Sequence, residues 1–219
     1  PFTPYRYRAP NTEPRASLVF PGAGGGVGAG GVAADPSLGL VFVNTTNEGS
    51  VGWIERNLAD ATAAQTGEGA RRDRLPYRQM GPTGDGVARF AANAEPIAED
   101  GTAAAAVWPC QKPPWGELVA IVAATGEVAW RTPLGITADL PEGKQRTGRP
   151  NRGGAIATAG GLVFVAASDD RRLRAFESQT GEELWTAELP RSGHGVPITY
   201  LGTDDKQYVA IAAGGADNP

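Results

Sequence analysis

Apolar residues in this chain come in short runs that break at glycine, proline or a Thr-Gly pair, and nowhere do they hold a clean period of 3.6. The runs read as strands and the breaks as turns. One unit is written twice. Leu118-Val119-Ala120-Ile121-Val122-Ala123-Ala124-Thr125-Gly126-Glu127-Val128-Ala129-Trp130 returns as Leu173-Arg174-Ala175-Phe176-Glu177-Ser178-Gln179-Thr180-Gly181-Glu182-Glu183-Leu184-Trp185, with Leu, Ala, Thr, Gly, Glu and Trp in register. Each copy predicts a strand, a tight turn whose glycine takes φ > 0, and a second strand carrying an indole.

A second unit runs over Gly30–Val43 and again, with one gap, over Gly153–Val165; a looser third copy spans Val196–Tyr200 and Gln207–Ala213. These predict apolar hairpins that precede the Thr-Gly-Trp hairpins. Gly153 to Leu189 is then one four-stranded antiparallel blade, and another begins near Gly195. Supersecondary units that cannot bury their own faces stack into arrays, and this form of repeat points to an all-β β-propeller. The expected blade repeats are 16–47, 115–150, 153–190 and 195–215, about three to three and a half blades. Residues 48–114 are expected to form a long irregular insertion. Within it Val51–Thr66 is the best helical candidate, without an apolar face. Pro21–Gly31 reads as a glycine-rich loop between strands; it lacks Gly-Lys-Ser/Thr and precedes a strand, so a phosphate-binding role is disfavoured.

Composition narrows the chemistry. The 219 residues include 31 Gly and 18 Pro, in keeping with many short strands meeting at turns. A net charge of −4 disfavours nucleic acid as a partner, and the one basic cluster, Arg71-Arg72-Asp73-Arg74, reads as a solvated loop. The single cysteine, Cys110, excludes an internal disulfide; it is expected to be a buried packing thiol, with pairing to a cysteine elsewhere as the other reading. The single histidine, His194, excludes a multi-histidine metal site and makes a Ser-His-Asp triad improbable. No run of apolar residues is long enough to cross a bilayer as a helix. The opening Pro1-Phe2-Thr3-Pro4 does not resemble a signal peptide, so the chain reads as a processed or cut piece or as one subunit of something larger.

The second unit at Gly153–Val165 followed by the Thr180–Trp185 turn resembles the pyrroloquinoline quinone (PQQ)-dependent dehydrogenases, nearest to their membrane glucose dehydrogenase branch. Pro109-Cys110-Gln111-Lys112-Pro113-Pro114-Trp115-Gly116, Pro21-Gly22-Ala23-Gly24-Gly25, Pro197-Ile198-Thr199-Tyr200 and Gln207–Gly215 match further landmarks. The resemblance implies an eight-bladed, periplasmic propeller that carries PQQ near its axis with a calcium or lanthanide ion on the quinone. It implies oxidation of an alcohol or sugar, with the ion acting as Lewis acid, a carboxylate removing the hydroxyl proton and the quinone taking the hydride. The catalytic Asp and the metal ligands are expected on an upstream segment or a second chain, and ubiquinone or cytochrome c as the electron acceptor. No catalytic residue and no metal ligand is assigned in this chain, apart from His194 as a weak catalytic candidate.

The cofactor-binding positions implied here are Asn44, Asn151, Arg152, Gly153 and Gly154. Asn44 is expected to donate its amide to PQQ, or else to cap a turn. Arg152 could fork onto a PQQ carboxylate or lie as a surface charge. Exchanging Asn44 or Arg152 is expected to weaken PQQ binding and to leave melting of the apo protein nearly unchanged. Departures from the family pattern are Ala29 where an indole is usual, Ala216 after Gly215 where histidine is common, and His194 where glutamine is common. They favour the alternative reading, a non-catalytic propeller scaffold without the cofactor. Trp130 and Trp185 are expected to dock blade on blade.

Overall fold

The computed structural model describes residues 4–13, 15–22, 24–57, 77–81, 84–85, 88–89, 91–93 and 107–214. Every element in them is a strand. They are β1 (Tyr7–Arg8), β2 (Ser17–Val19), β3 (Gly26–Asp35), β4 (Leu40–Thr46), β5 (Ser50–Arg56), β6 (Tyr77–Gly81), β7 (Gly84–Asp85), β8 (Ala88–Arg89) and β9 (Ala91–Asn93). There follow β10 (Val107–Pro109), β11 (Gly116–Val122), β12 (Val128–Pro133), β13 (Ala155–Ala157), β14 (Leu162–Val165), β15 (Arg172–Glu177), β16 (Glu183–Glu188), β17 (Ile198–Leu201) and β18 (Gln207–Ala210).

The blade expected over Gly153–Leu189 forms as an antiparallel sheet in the order β13-β14-β15-β16, and β17 pairs with β18 as the hairpin after it. The repeated sentence owes its form to the turn. Gly126 and Gly181 have φ of 76° and 74°, and their amides donate to Val122 O and Glu177 O at 2.8 and 2.9 Å. The Thr125 and Thr180 hydroxyls each accept the amide of the Glu two residues on, at 3.2 Å. Both copies also place a bulge at the same point, after Ala120 and after Ala175.

The units expected as separate blades over 16–47 and 115–150 instead share one sheet, β12-β11-β4-β3. The strand β4 pairs antiparallel with β11 along its whole length, from Leu40↔Val122 to Thr46↔Gly116. The intervening segment 48–114 is thus inserted between two neighbouring strands of a blade, and Asn47 N donates to Trp115 O at 2.8 Å across its neck. It is not irregular where described: β1, β2, β5, β6, β7 and β8 form a six-stranded sheet and β9 pairs with β10. Residues 51–56, at the start of the helical candidate, are strand; 58–66 lie outside the described residues, as do Arg71, Arg72 and Arg74. The glycine-rich stretch is a strand from Gly26 onward, kept in register by a bulge between Val27 and Val32.

The core lies between the two four-stranded sheets, where Leu40, Phe42, Leu118 and Leu134 meet Val163, Val165 and Phe176, all 8 % exposed or less. Trp130 works as expected. It stands in a row Ala33–Phe42–Ala120–Trp130 across the first sheet, packs against Phe42 at 5.8 Å, and donates Nε1–H to Ser178 O at 3.0 Å on the next sheet. A Cβ on Gly181 would fall 2.5 Å from its ring, so the indole sits directly on the neighbouring turn. Trp185 has the same place in the row Ile156–Phe164–Ala175–Trp185, yet is 49 % exposed and docks on no blade among the described residues. Cys110 is exposed rather than buried. In its segment the packed residue is Trp115, whose indole N–H donates to Gln111 O at 2.8 Å and pins the 111–115 turn.

Candidate functional site

Alternation along β4 turns Leu40, Phe42, Asn44 and Thr46 to one face, so an apolar row ends in two polar groups. Those groups meet the segment that leads into β13. Asn44 Nδ2 donates to Asn151 Oδ1 at 2.6 Å and to Gly153 O at 2.8 Å. Asn151 Nδ2 donates to Thr45 O at 2.8 Å. The Thr46 hydroxyl receives the Asn151 amide at 2.9 Å and donates to Asn151 O at 3.0 Å. Sequence positions more than a hundred apart are thereby stitched into one polar node between the two sheets.

Asn44 is neither a turn cap nor a free donor. It lies inside the strand, it is fully buried, and both its amide hydrogens are spent within the protein. The atom left over is its Oδ1, a buried acceptor without a donor. Reversing the amide would set oxygen against Gly153 O, so the network fixes this orientation. The expectation that exchanging Asn44 leaves the apo protein unaffected therefore fails on burial.

Gly153 and Gly154 are buried and serve first as an inter-sheet contact. A Cβ on Gly30 of β3 would fall 2.2 Å from Gly154 N, and one on Gly154 would fall 2.6 Å from Gly30 O. Only paired glycines allow strands β3 and β13 to approach this closely. Arg152, between Asn151 and Gly153, is exposed, and its amide donates to Ala167 O at 3.0 Å. His194, half-buried, and Arg152 line one small polar cleft of about 30 Å³ together with Asn151, Glu48, Pro150 and Asp169. Five of the six named positions thus gather directly, with Asn44, Asn151 and the Gly153 carbonyl bonded and Arg152 and His194 at the cleft. Ala216 lies outside the described residues.

Sequence reasoning missed Thr46, Glu48 and Asp169. Asp169 is held by the guanidinium of Arg149, Nε to Oδ1 at 2.7 Å and Nη2 to Oδ2 at 3.1 Å, which fixes the cleft wall. Next to it Asp170 anchors the loop. Burial pushes its carboxyl up, but the hydrogen bonds and charge of Arg174, with the Ser168 hydroxyl and the Ile136 amide, outweigh that and hold it below the ordinary carboxylate range. Arg174 itself is 2 % exposed. The run of acidic and basic residues Asp169–Arg174 was the available signal. Among the described residues no three His, Cys, Asp or Glu side chains group as metal ligands, and no helix is long and apolar enough to cross a membrane.

The family model for "PQQ: glucose/ethanol/alcohol dehydrogenase, beta-propeller domain" matches residues 1–209. The chain is 38 % identical over 217 residues to a probable quinate dehydrogenase (quinone) of Xanthomonas campestris pv. juglandis, covering 96 % of this chain and 26 % of that protein. It is 39 % identical over 217 residues to the quinate/shikimate dehydrogenase (quinone) of Acinetobacter baylyi, with the same coverage. Among solved structures, the quinohemoprotein alcohol dehydrogenase from Comamonas testosteroni superposes with a TM-score of 0.55 at 26 % identity, over 91 % of this chain and 24 % of that one. The chain spans about a quarter of the length of the curated relatives it matches.

Proposed function

From its membership of the PQQ-dependent glucose/ethanol/alcohol dehydrogenase β-propeller family, to which the chain belongs, we propose that it forms one wall of the quinone pocket in a longer periplasmic enzyme that oxidises an alcohol or sugar hydroxyl. The observation that carries this is the convergence of Asn44, Asn151, Arg152 and His194, from segments far apart in sequence, on one node and its adjoining cleft. The residues fit the cofactor's chemistry. A buried acceptor without a donor, Asn44 Oδ1, suits a ligand that brings an N–H, and the pyrrole ring of PQQ has one. The exposed guanidinium of Arg152 offers forked donors to a ring carboxylate.

PQQ, when bound with a calcium or lanthanide ion, supplies the two-electron acceptor. In this reading the residues of this chain bind and orient. Asn44 and Asn151 hold the Gly153 carbonyl in place, Arg152 neutralises a cofactor carboxylate, and His194 lines the cleft beside it. The base and the metal ligands then come from parts of the relatives' length that this chain does not span, and ubiquinone or cytochrome c receives the electrons.

The test is PQQ titration of the longer apo protein, followed by quenching of intrinsic fluorescence, beside thermal melting. Arg152→Gln is expected to weaken PQQ binding roughly tenfold, as loss of a charge-assisted pair does, with melting unchanged because the exposed side chain makes no hydrogen bond or ion pair among the described residues. Uptake of PQQ that ignores Arg152→Gln would remove Arg152 from the pocket. No uptake at all, with either ion present, would favour a scaffold that has kept the blades and lost the cofactor.

A further inference from the structure

We propose that the face made by β1, β5 and β6 on the inserted sheet docks an acidic, protruding segment of a partner protein. Five arginines, Arg6, Arg8, Arg15, Arg56 and Arg78, line two adjoining clefts of about 580 and 200 Å³ that share Arg8. Among the described residues the acids lining them are Glu13 and Glu55. Glu55 is already committed: Arg78 donates to it through Nη2 at 2.8 Å and Nε at 3.1 Å, and Arg8 approaches at 3.5 Å. Arg6, Arg15 and Arg56 are exposed and carry no ion pair among the described residues. Three guanidinium groups without an ion pair among the described residues, gathered at two adjoining clefts of a chain whose net charge is −4, are a local feature, not a general one.

The face is rigid. Arg8 lies opposite Glu55, and Glu55 opposite Arg78, across three hydrogen-bonded strands. Arg8 Nε also donates to Thr12 O at 2.8 Å, which closes the turn after β1. On the side of the strands that carries Arg56, Tyr7 and Tyr77 pack edge to face at 6.0 Å, both more than half exposed. Arginine and tyrosine are the side chains enriched in protein interfaces. The shape selects among anionic partners. A bilayer is flat and cannot enter a concave cleft, whereas a carboxylate-bearing segment can, and Glu55 shows on this same face how a carboxylate is held.

The experiment uses the longer protein and three probes: a fluorescent Glu-Gly repeat peptide, a Lys-Gly control, and vesicles containing phosphatidylglycerol. The acidic peptide is expected to bind at low ionic strength, to weaken as salt rises, and to lose roughly tenfold in affinity in the triple variant Arg6→Gln, Arg15→Gln, Arg56→Gln. These three are chosen because no fold contact of their side chains is lost; a matching melting curve checks that. Equal binding by the variant, or no binding of the acidic peptide, overturns the proposal. Vesicle binding that depends on the three arginines while the peptide fails to bind assigns the face to a lipid surface instead. None of these outcomes depends on PQQ, so the quinone pocket stands or falls separately.

Discussion

The contact between the first and second blades can be isolated by one methyl group. In Gly181→Ala the new Cβ meets the indole of Trp130 at 2.5, 2.7 and 2.8 Å from Cε3, Cδ2 and Cζ3, distances that real Cβ atoms do not tolerate. The backbone there also has a φ of 74°, so alanine costs about 1–2 kcal/mol by conformation alone. If the indole swings away, its Nε1–H bond to Ser178 O is lost, at about 0.5–1.5 kcal/mol. The ring contact with Phe42 loosens, at up to about 1 kcal/mol more. The total is about 2–4 kcal/mol. Gly126 is the internal control. It holds the same place in the first copy, with a φ of 76° and open space around its Cβ, so Gly126→Ala should cost only the conformational part. The two variants should then differ by about 0.5–2.5 kcal/mol, or roughly 1–10 °C in calorimetric melting at about 2–4 °C per kcal/mol. In a Trp130→Ala background the difference should vanish. Equal losses in both variants, or a gap that survives Trp130→Ala, would refute the docking argument.

Asn44→Ala should destabilise the apo protein by about 2–4 kcal/mol, because Asn151 Oδ1 and the Gly153 carbonyl both lose their donor in a buried place; urea midpoints measure it, and an unchanged midpoint refutes the node. Asp170 governs an acid limb. Its carboxyl titrates lower in the folded chain than an unperturbed aspartate does, so the stability it contributes is fully present above the ordinary aspartate range and is lost as pH falls through the lower, folded value. Asp170→Asn should flatten that limb in melting curves taken against pH. At neutral pH the same substitution should cost roughly 3 kcal/mol, since buried Arg174 loses its closest counter-ion and keeps only Glu183, at 3.5 Å.

Much of the fold is local chemistry and was legible in sequence. A threonine hydroxyl that accepts an amide two residues on, and a glycine that takes φ > 0, close a hairpin from within a few residues of chain. Thr125-Gly126-Glu127 and Thr180-Gly181-Glu182 therefore announce the same turn, bulge and tryptophan position wherever they occur. The blade over Gly153–Leu189 was readable for that reason, and the site residues were readable only through a family resemblance.

Which strands share a sheet was decided by the tertiary structure. Strand edges offer the same row of N–H and C=O groups whatever their side chains, so nothing near β4 names β11 as its neighbour beyond an insertion that ends at Trp115. Asn44 likewise reads as a cap or a donor until Asn151, 107 positions away, takes up its amide. Trp130 and Trp185 are identical in motif and opposite in exposure, because an indole is buried only where a neighbouring turn, here the one at Gly181, comes to meet it. Local hydrogen bonds write each hairpin into the sequence; the packing of one hairpin against another depends on shape and exclusion of water, which no short stretch of residues contains.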